Sequence, residues 1–65
     1  MTTDFPSVMT VTREWYPAWG DLQIGVVPGN QIRVLSVDHE IGAARIEVNG
    51  FHLVVMLAEL QSHAQ

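Results

Sequence analysis

The clearest pattern of apolar and polar positions surrounds the dipeptide Asn49-Gly50. The segments on either side, AARIEV and FHLVVML, are rich in β-branched and apolar residues. Asn and Gly both accept the positive φ angles of a type I′ turn, so the pair predicts a two-residue β-hairpin. Such a turn fixes the register and places six apolar residues on one face, which we predict to be the core face. These residues are Val48 opposite Phe51, Ile46 opposite Leu53, and Ala44 opposite Val55.

The other face of this hairpin is also partly apolar. The register places Glu47 opposite His52 and Arg45 opposite Val54, while Val54 and Met56 are apolar where a simple alternating strand would be polar. A strand that is apolar on both faces is covered on both faces or forms an interface. The segment 31–37 has the same property, with Ile32 and Val34 on one side and Leu35 and Val37 on the other. We therefore predict an oligomer or partner interface formed by Leu35, Val37, Val54 and Met56.

Weaker patterns complete the secondary structure. Residues 8–13 and 22–27 are predicted to be strands, residues 14–20 an aromatic loop, and residues 57–61 one helical turn. About five short antiparallel strands with a C-terminal helical turn predict an all-β fold, a small barrel of the SH3-like or OB-like kind. We predict a flexible tail over residues 1–8 and a single domain over residues 9–65.

Length and charge limit the function. A chain of 65 residues buries only about 60% of its unfolded surface, so self-association is a natural source of additional stability. The chain has three Arg, no Lys and a net charge of −4, which makes nucleic acid and an acidic membrane surface unfavourable partners. We expect another protein, or a second copy of the chain, as partner. The N-terminal sequence does not resemble a signal peptide and the longest apolar run is six residues, so we expect a cytoplasmic protein.

Three aromatic residues are the strongest candidates for a binding site. Trp15, Tyr16 and Trp19 lie within one short segment that also contains Pro17. Such residues can anchor a proline-rich peptide or another protein surface. Alternatively, the same side chains close an open end of the barrel as part of the core.

Catalytic and metal-binding signals are weak. The chain has no Cys, which excludes disulfides, thiolate nucleophiles and Cys-based metal sites. The spacings of His39, His52 and His63 match no metal motif, and no phosphate-binding loop or nucleophile elbow is present. We therefore expect no enzyme and no cofactor; the alternative is a small oligomeric enzyme whose site lies on a symmetry axis.

One part of the chain resembles the small hydrogenase-maturation chaperones. The resemblance rests on Pro28-Gly29, on Gln31-Ile32-Arg33 and on the run AARIEVNGFHLVVMLAEL, and it covers residues 24–60 with one inserted residue. The functional Cys of that family precedes its Gly-x-Pro-Gly stretch, where this chain has Gln23 and Ile24. The resemblance thus implies a small barrel that docks on a partner but lacks the metal-handling chemistry.

A second resemblance is to the carbon storage regulator family of dimeric RNA-binding proteins. It rests, in order along the chain, on residues 12–13, 20–25, 34–37 and 45–48, with insertions between them. The RNA-contacting Arg of that family would fall at Leu57 or Ala58. The resemblance implies an RNA-binding post-transcriptional regulator that uses Arg13, Arg33 and Arg45 across a dimer.

The residues favour a non-catalytic protein-binding module, such as an adaptor, an inhibitor or a small chaperone subunit. Its proposed anchors are Trp15, Tyr16 and Trp19. The RNA-binding regulator is the alternative, and its affinity would fall steeply with ionic strength.

Overall fold

A computed structural model describes residues 6–65 of the chain. Four strands form an antiparallel sheet in the order β1-β4-β5-β6, and two short strands form a separate antiparallel pair. The elements are β1 (Val8–Thr10), β2 (Ala18–Trp19), β3 (Leu22–Gln23), β4 (Gln31–Asp38), β5 (Ala43–Val48), β6 (Phe51–Met56) and α1 (Leu57–His63). The predicted all-β antiparallel architecture with a short C-terminal helix is thus confirmed.

The hairpin of β5 and β6 has the predicted register throughout. Val48 pairs with Phe51, and the ladder continues in single steps to Ala43 and Met56. Asn49 has φ 53° and Gly50 has φ 84°, as a type I′ turn requires. Local turn chemistry is therefore sufficient to define this half of the sheet.

The core lies on one face of the four-stranded sheet. The helix and the segments before β4 cover that face, and no buried residue of the described chain is polar or charged. The cluster contains Met9, Val11, Trp15, Val26, Ile32, Ala44, Ile46, Val48, Leu53, Val55, Leu60 and Ala64. All six residues predicted for the core face of the hairpin belong to this cluster or, for Phe51, pack against it.

A β-bulge in β4 changes which residues face the core. Val34 pairs with Ile46 but Ser36 pairs with Arg45, so Leu35 is an extra residue in the ladder. The alternation of faces is inverted beyond the bulge, and Val37 stands opposite the core residue Ala44 and packs against the core. The assignment of Val37 to the interface is therefore corrected, whereas Leu35 remains on the exposed face.

The bulge makes a testable difference between two neighbouring apolar residues. Val37→Ser should lower the free energy of unfolding by about 1–2 kcal/mol, because Val37 contributes apolar surface to the core. Leu35→Ser should change it by less than about 0.5 kcal/mol, because Leu35 is exposed. Urea unfolding followed by circular dichroism at low protein concentration measures both. Equal midpoints for the two variants would contradict the bulge.

The two ends of the described chain are hydrogen-bonded to each other. Thr10 and Gln65 exchange backbone hydrogen bonds of 2.6 and 2.9 Å, and the Thr12 N–H donates to the His63 carbonyl at 2.7 Å. Val11, which lies between Thr10 and Thr12, is hydrogen-bonded to a different segment: its N–H donates to the Asn30 carbonyl, and its carbonyl accepts from the Gly29 N–H. Residues 63–65 thus return to the segment that follows β1, with α1 bridging from β6. Because that bridge is a helix, the strands within residues 6–65 do not form a continuous closed barrel.

Several predicted boundaries need correction. The strands predicted over residues 8–13 and 22–27 are shorter, with isolated bridges at Val11 and Val26. The predicted tail includes Ser7, whose carbonyl accepts a bond from Val34, and Val8, which pairs with Arg33. Residues 1–5 of that tail lie outside the described residues. Within the part that is described, no helix has the length and apolar character needed to cross a membrane.

Candidate protein-binding surfaces

The segment predicted as an aromatic loop is part of a β-hairpin, residues 15–26, here called the aromatic hairpin. Trp15 and Val26 exchange backbone hydrogen bonds of 2.9 and 2.8 Å, and the ladder continues to Trp19 opposite Leu22. Gly20, with φ 65°, allows the tight reversal at the tip. The hairpin therefore presents the aromatic side chains from a hydrogen-bonded frame.

Trp15 belongs to the core. Its side chain is 3% exposed, and its indole N–H donates to Glu59 Oε2 at 2.9 Å. One face of the indole stacks on the His63 ring, with centroids 5.1 Å apart and planes 10° from parallel. His63 is itself oriented by a 2.8 Å hydrogen bond from Nδ1 to the Glu59 carbonyl. The assignment of Trp15 as a binding anchor is corrected, because its surface is already covered by the chain's own helix.

Tyr16 and Trp19 are exposed but constrained. They keep 54% and 42% of their surface exposed. The Trp19 ring packs edge-to-face on Phe51 at 5.0 Å, and the Tyr16 ring lies against Gly25. A hydrogen bond with the Glu14 carboxylate raises the pKa of the Tyr16 hydroxyl. Rings held in place in this way lose little conformational entropy on binding.

Two further apolar residues extend the aromatic surface. Leu22 is 61% exposed at the tip, directly opposite Trp19, and Val27 is 49% exposed just after the hairpin. Trp19, Gly20, Asp21 and Leu22 line an open depression at the tip. Leu22 is not among the site residues predicted from the sequence, because residues 22–27 are predicted there only as a strand. The turn residues Gly20-Asp21, directly before Leu22, are the sequence feature that could have indicated its position at the tip of a hairpin.

A second apolar surface lies on the face of the four-stranded sheet opposite the core, here called the outer face. Its exposed apolar residues include Val8, Leu35, Val54 and Met56, the last two at 65% and 54% exposure. Val54 and Met56, which are predicted to form an interface, are exposed on this face of the single chain.

Charged residues lie beside these apolar side chains. Glu47 accepts a 2.9 Å bond from Arg33 and has His52 Nε2 at 3.7 Å. A shallow groove of about 240 Å³ lies at one end of the outer face, with Ala43 in its lining. Ser36, Asp38, Ile41, Ala44, Arg45 and Val54 are its other lining residues.

The three arginines are not placed alike. Arg33 and Arg45 are on the outer face, and Arg33 is paired with Glu47. Arg13 instead donates to the Ser62 carbonyl at the end of α1, at 3.4 Å. The glutamate beside Arg33 reduces the positive potential that a phosphate backbone would meet there.

The histidines are not gathered into a metal centre. Within residues 6–65, no group of three or more His, Asp and Glu side chains could hold a metal ion. His52 lies beside Glu47 on the outer face, while His63 is stacked on Trp15.

Comparisons with protein-family models, with curated proteins and with solved structures find no match for this chain. The resemblances to hydrogenase-maturation chaperones and to carbon storage regulators accordingly stay predictions. The assignment of function rests on the geometry of the two surfaces.

Proposed function

We propose that this chain is a non-catalytic protein-binding module that docks on its partner through the aromatic hairpin. The observation that carries the proposal is the state of Tyr16 and Trp19, which are about half exposed yet held by the packing of their rings on Gly25 and Phe51. Tyr and Trp dominate binding energy at protein interfaces, and anchors held in their bound conformation bind more tightly. The module would serve as an adaptor, an inhibitor or a small chaperone subunit in the cytoplasm.

The course of the chain supports a partly open barrel of the SH3-like rather than the OB-like kind. A long hairpin follows β1, three consecutive antiparallel strands come next, and a short helix returns the chain to the segment after β1. In this proposed barrel the aromatic hairpin is an insertion that projects from the frame. Because fold class alone does not define function, the case for binding rests on the side chains of the hairpin.

Charge indicates the kind of partner surface. Glu14 and Asp21 lie on or beside the hairpin, and the chain as a whole has a net charge of −4 without any Lys. An apolar partner patch with a basic rim would complement this surface and accelerate encounter. An extended nucleic acid would be repelled by the same charges.

The proposal is tested by comparing variants of the chain as affinity baits in extract of the source cells. Trp19→Ala with Leu22→Ser should lose at least tenfold in the recovery of the specific protein partner, because the Trp19 anchor and the apolar side chain opposite it are both removed. The control is Ile41→Ser, which changes an exposed apolar residue outside the hairpin, in the groove on the outer face. Quantitative mass spectrometry reports the recovery, and the purified partner is then titrated against both variants to give Kd.

Salt dependence separates the two candidate functions. Protein docking through an apolar surface should keep Kd within a fewfold between low and high salt, whereas phosphate contacts predict a steep loss of affinity. Recovery of RNA that depends on Arg33 and Arg45 would reject the proposal in favour of the RNA-binding alternative. Equal recovery of the protein partner by the hairpin variant and its control would place the binding site on another surface.

A further inference from the structure

The outer face carries three cross-strand pairs whose members complement each other. In the β5–β6 ladder, small Ala43 stands beside large Met56, acidic Glu47 beside His52, and Arg45 beside Val54. Met56 is 54% exposed, whereas Ala43 is buried at 7% exposure and lines the groove. A protruding side chain and a recess, and an acid and a base, thus occur on the same face.

A two-fold axis parallel to the strands and midway between β5 and β6 would exchange the members of each pair. Two copies related by this axis place each outer-face residue of β5 and β6 over the partner's copy of its own cross-strand neighbour. Met56 would then enter the groove at Ala43 of the second copy, and His52 would stand over the second Glu47. The stem of Arg45 would cover Val54, with its guanidinium reaching solvent.

We propose that the outer face is a homodimer interface in which a second copy of this chain packs on β5 and β6 in this two-fold arrangement. A single symmetry operation matches size at one end and charge at the other, which is the self-complementarity that a two-fold interface requires. An interface of standard size covers about 800 Å² per partner, roughly a fifth of the 4333 Å² surface of this chain. This inference goes beyond the proposed function, since it uses a different surface and leaves the aromatic hairpin free.

A pair of substitutions at His52 tests the charge match. In the dimer, His52→Glu brings two carboxylates together at both symmetry-related contacts and should weaken self-association at least tenfold. His52→Lys places a cation over Glu47 and should preserve the dimer. Gln23→Glu on the aromatic hairpin adds the same charge elsewhere and is the matched control. Sedimentation velocity across protein concentration gives the mass, expected for wild type at twice the 7.2 kDa of the monomer.

Exchange of Met56 and Ala43 tests the size match independently. Met56→Ala leaves the groove empty and Ala43→Met fills it against Met56 of the partner subunit, so each alone should weaken the dimer at least tenfold. The double variant exchanges the two side chains, conserves their total volume within the monomer and should restore association. Circular dichroism of each variant separates loss of the dimer from loss of the fold.

The outcomes are distinct. A monomeric wild type at high micromolar concentration would overturn the proposal. So would a dimer with equal mass in His52→Glu and His52→Lys, or one that is lost only in the Trp19 and Leu22 variant. Loss of the dimer only in the Trp19 and Leu22 variant would make the aromatic hairpin the self-association surface. If the protein is instead a monomer that binds its partner through the hairpin, the proposed function holds and the dimer proposal fails.

Discussion

Trp15→Ala should unfold most of the protein under conditions in which the wild type is folded. Truncating a buried Trp costs about 3–5 kcal/mol, and a chain of this length has a free energy of unfolding of roughly 3–10 kcal/mol. The variant loses three contacts together: core packing, the hydrogen bond to Glu59 and the stacking on His63. Thermal unfolding followed by circular dichroism measures the loss.

Two controls give this result its meaning. Trp15→Phe keeps an aromatic ring against His63 but has no N–H for Glu59, and should cost about 1–2 kcal/mol. Tyr16→Ala, one residue away and half exposed, should change the free energy of unfolding by less than about 1 kcal/mol. If Trp15→Ala and Tyr16→Ala had similar midpoints, the placement of Trp15 in the core would be refuted.

Ile46→Ala should lower the free energy of unfolding by about 2–5 kcal/mol. Ile46 is completely buried in β5, at the centre of the sheet, and its removal leaves a cavity that the neighbouring strands cannot readily fill. Urea unfolding at several protein concentrations measures this loss, which should be the same at all of them.

Val54→Ala is the matching substitution on the opposite face of the sheet. Val54 is 65% exposed, so its truncation should cost less than about 1 kcal/mol at low protein concentration. If the outer face mediates self-association, the difference in free energy of unfolding between wild type and Val54→Ala should grow with protein concentration, because dimerisation stabilises the folded wild type by mass action. Equal losses for Ile46→Ala and Val54→Ala would contradict the assignment of the two faces.

The part of the fold that could be predicted from the sequence is the part that local chemistry determines. Asn49-Gly50 has two adjacent residues that accept positive φ, and this fixed the turn, the register and the core face of β5 and β6. The bulge at Leu35 could not be predicted, because the apolar residues of segment 31–37 fit a regular strand that is apolar on both faces equally well. Its consequence was the misplacement of Val37.

The candidate site was predicted only in part, for a different reason. Trp15, Tyr16 and Trp19 are equally aromatic in sequence, but their exposure depends on what the end of the chain covers. Burial of Trp15 requires Glu59 and His63, more than 40 residues away in sequence. A long-range contact of this kind leaves no periodic signal, so the anchor and the core residue could not be told apart.

The return of residues 63–65 to the segment after β1 also affects how the protein folds. The β5–β6 hairpin closes through a two-residue turn and can form within microseconds. Pairing of Thr12 with His63 closes a loop of 51 residues, which is entropically costly and gains its compensating contacts only when Trp15, Leu60 and Ala64 come together. Neither half of the chain can therefore complete its core alone, and the protein should fold in one cooperative transition limited by the meeting of its two ends.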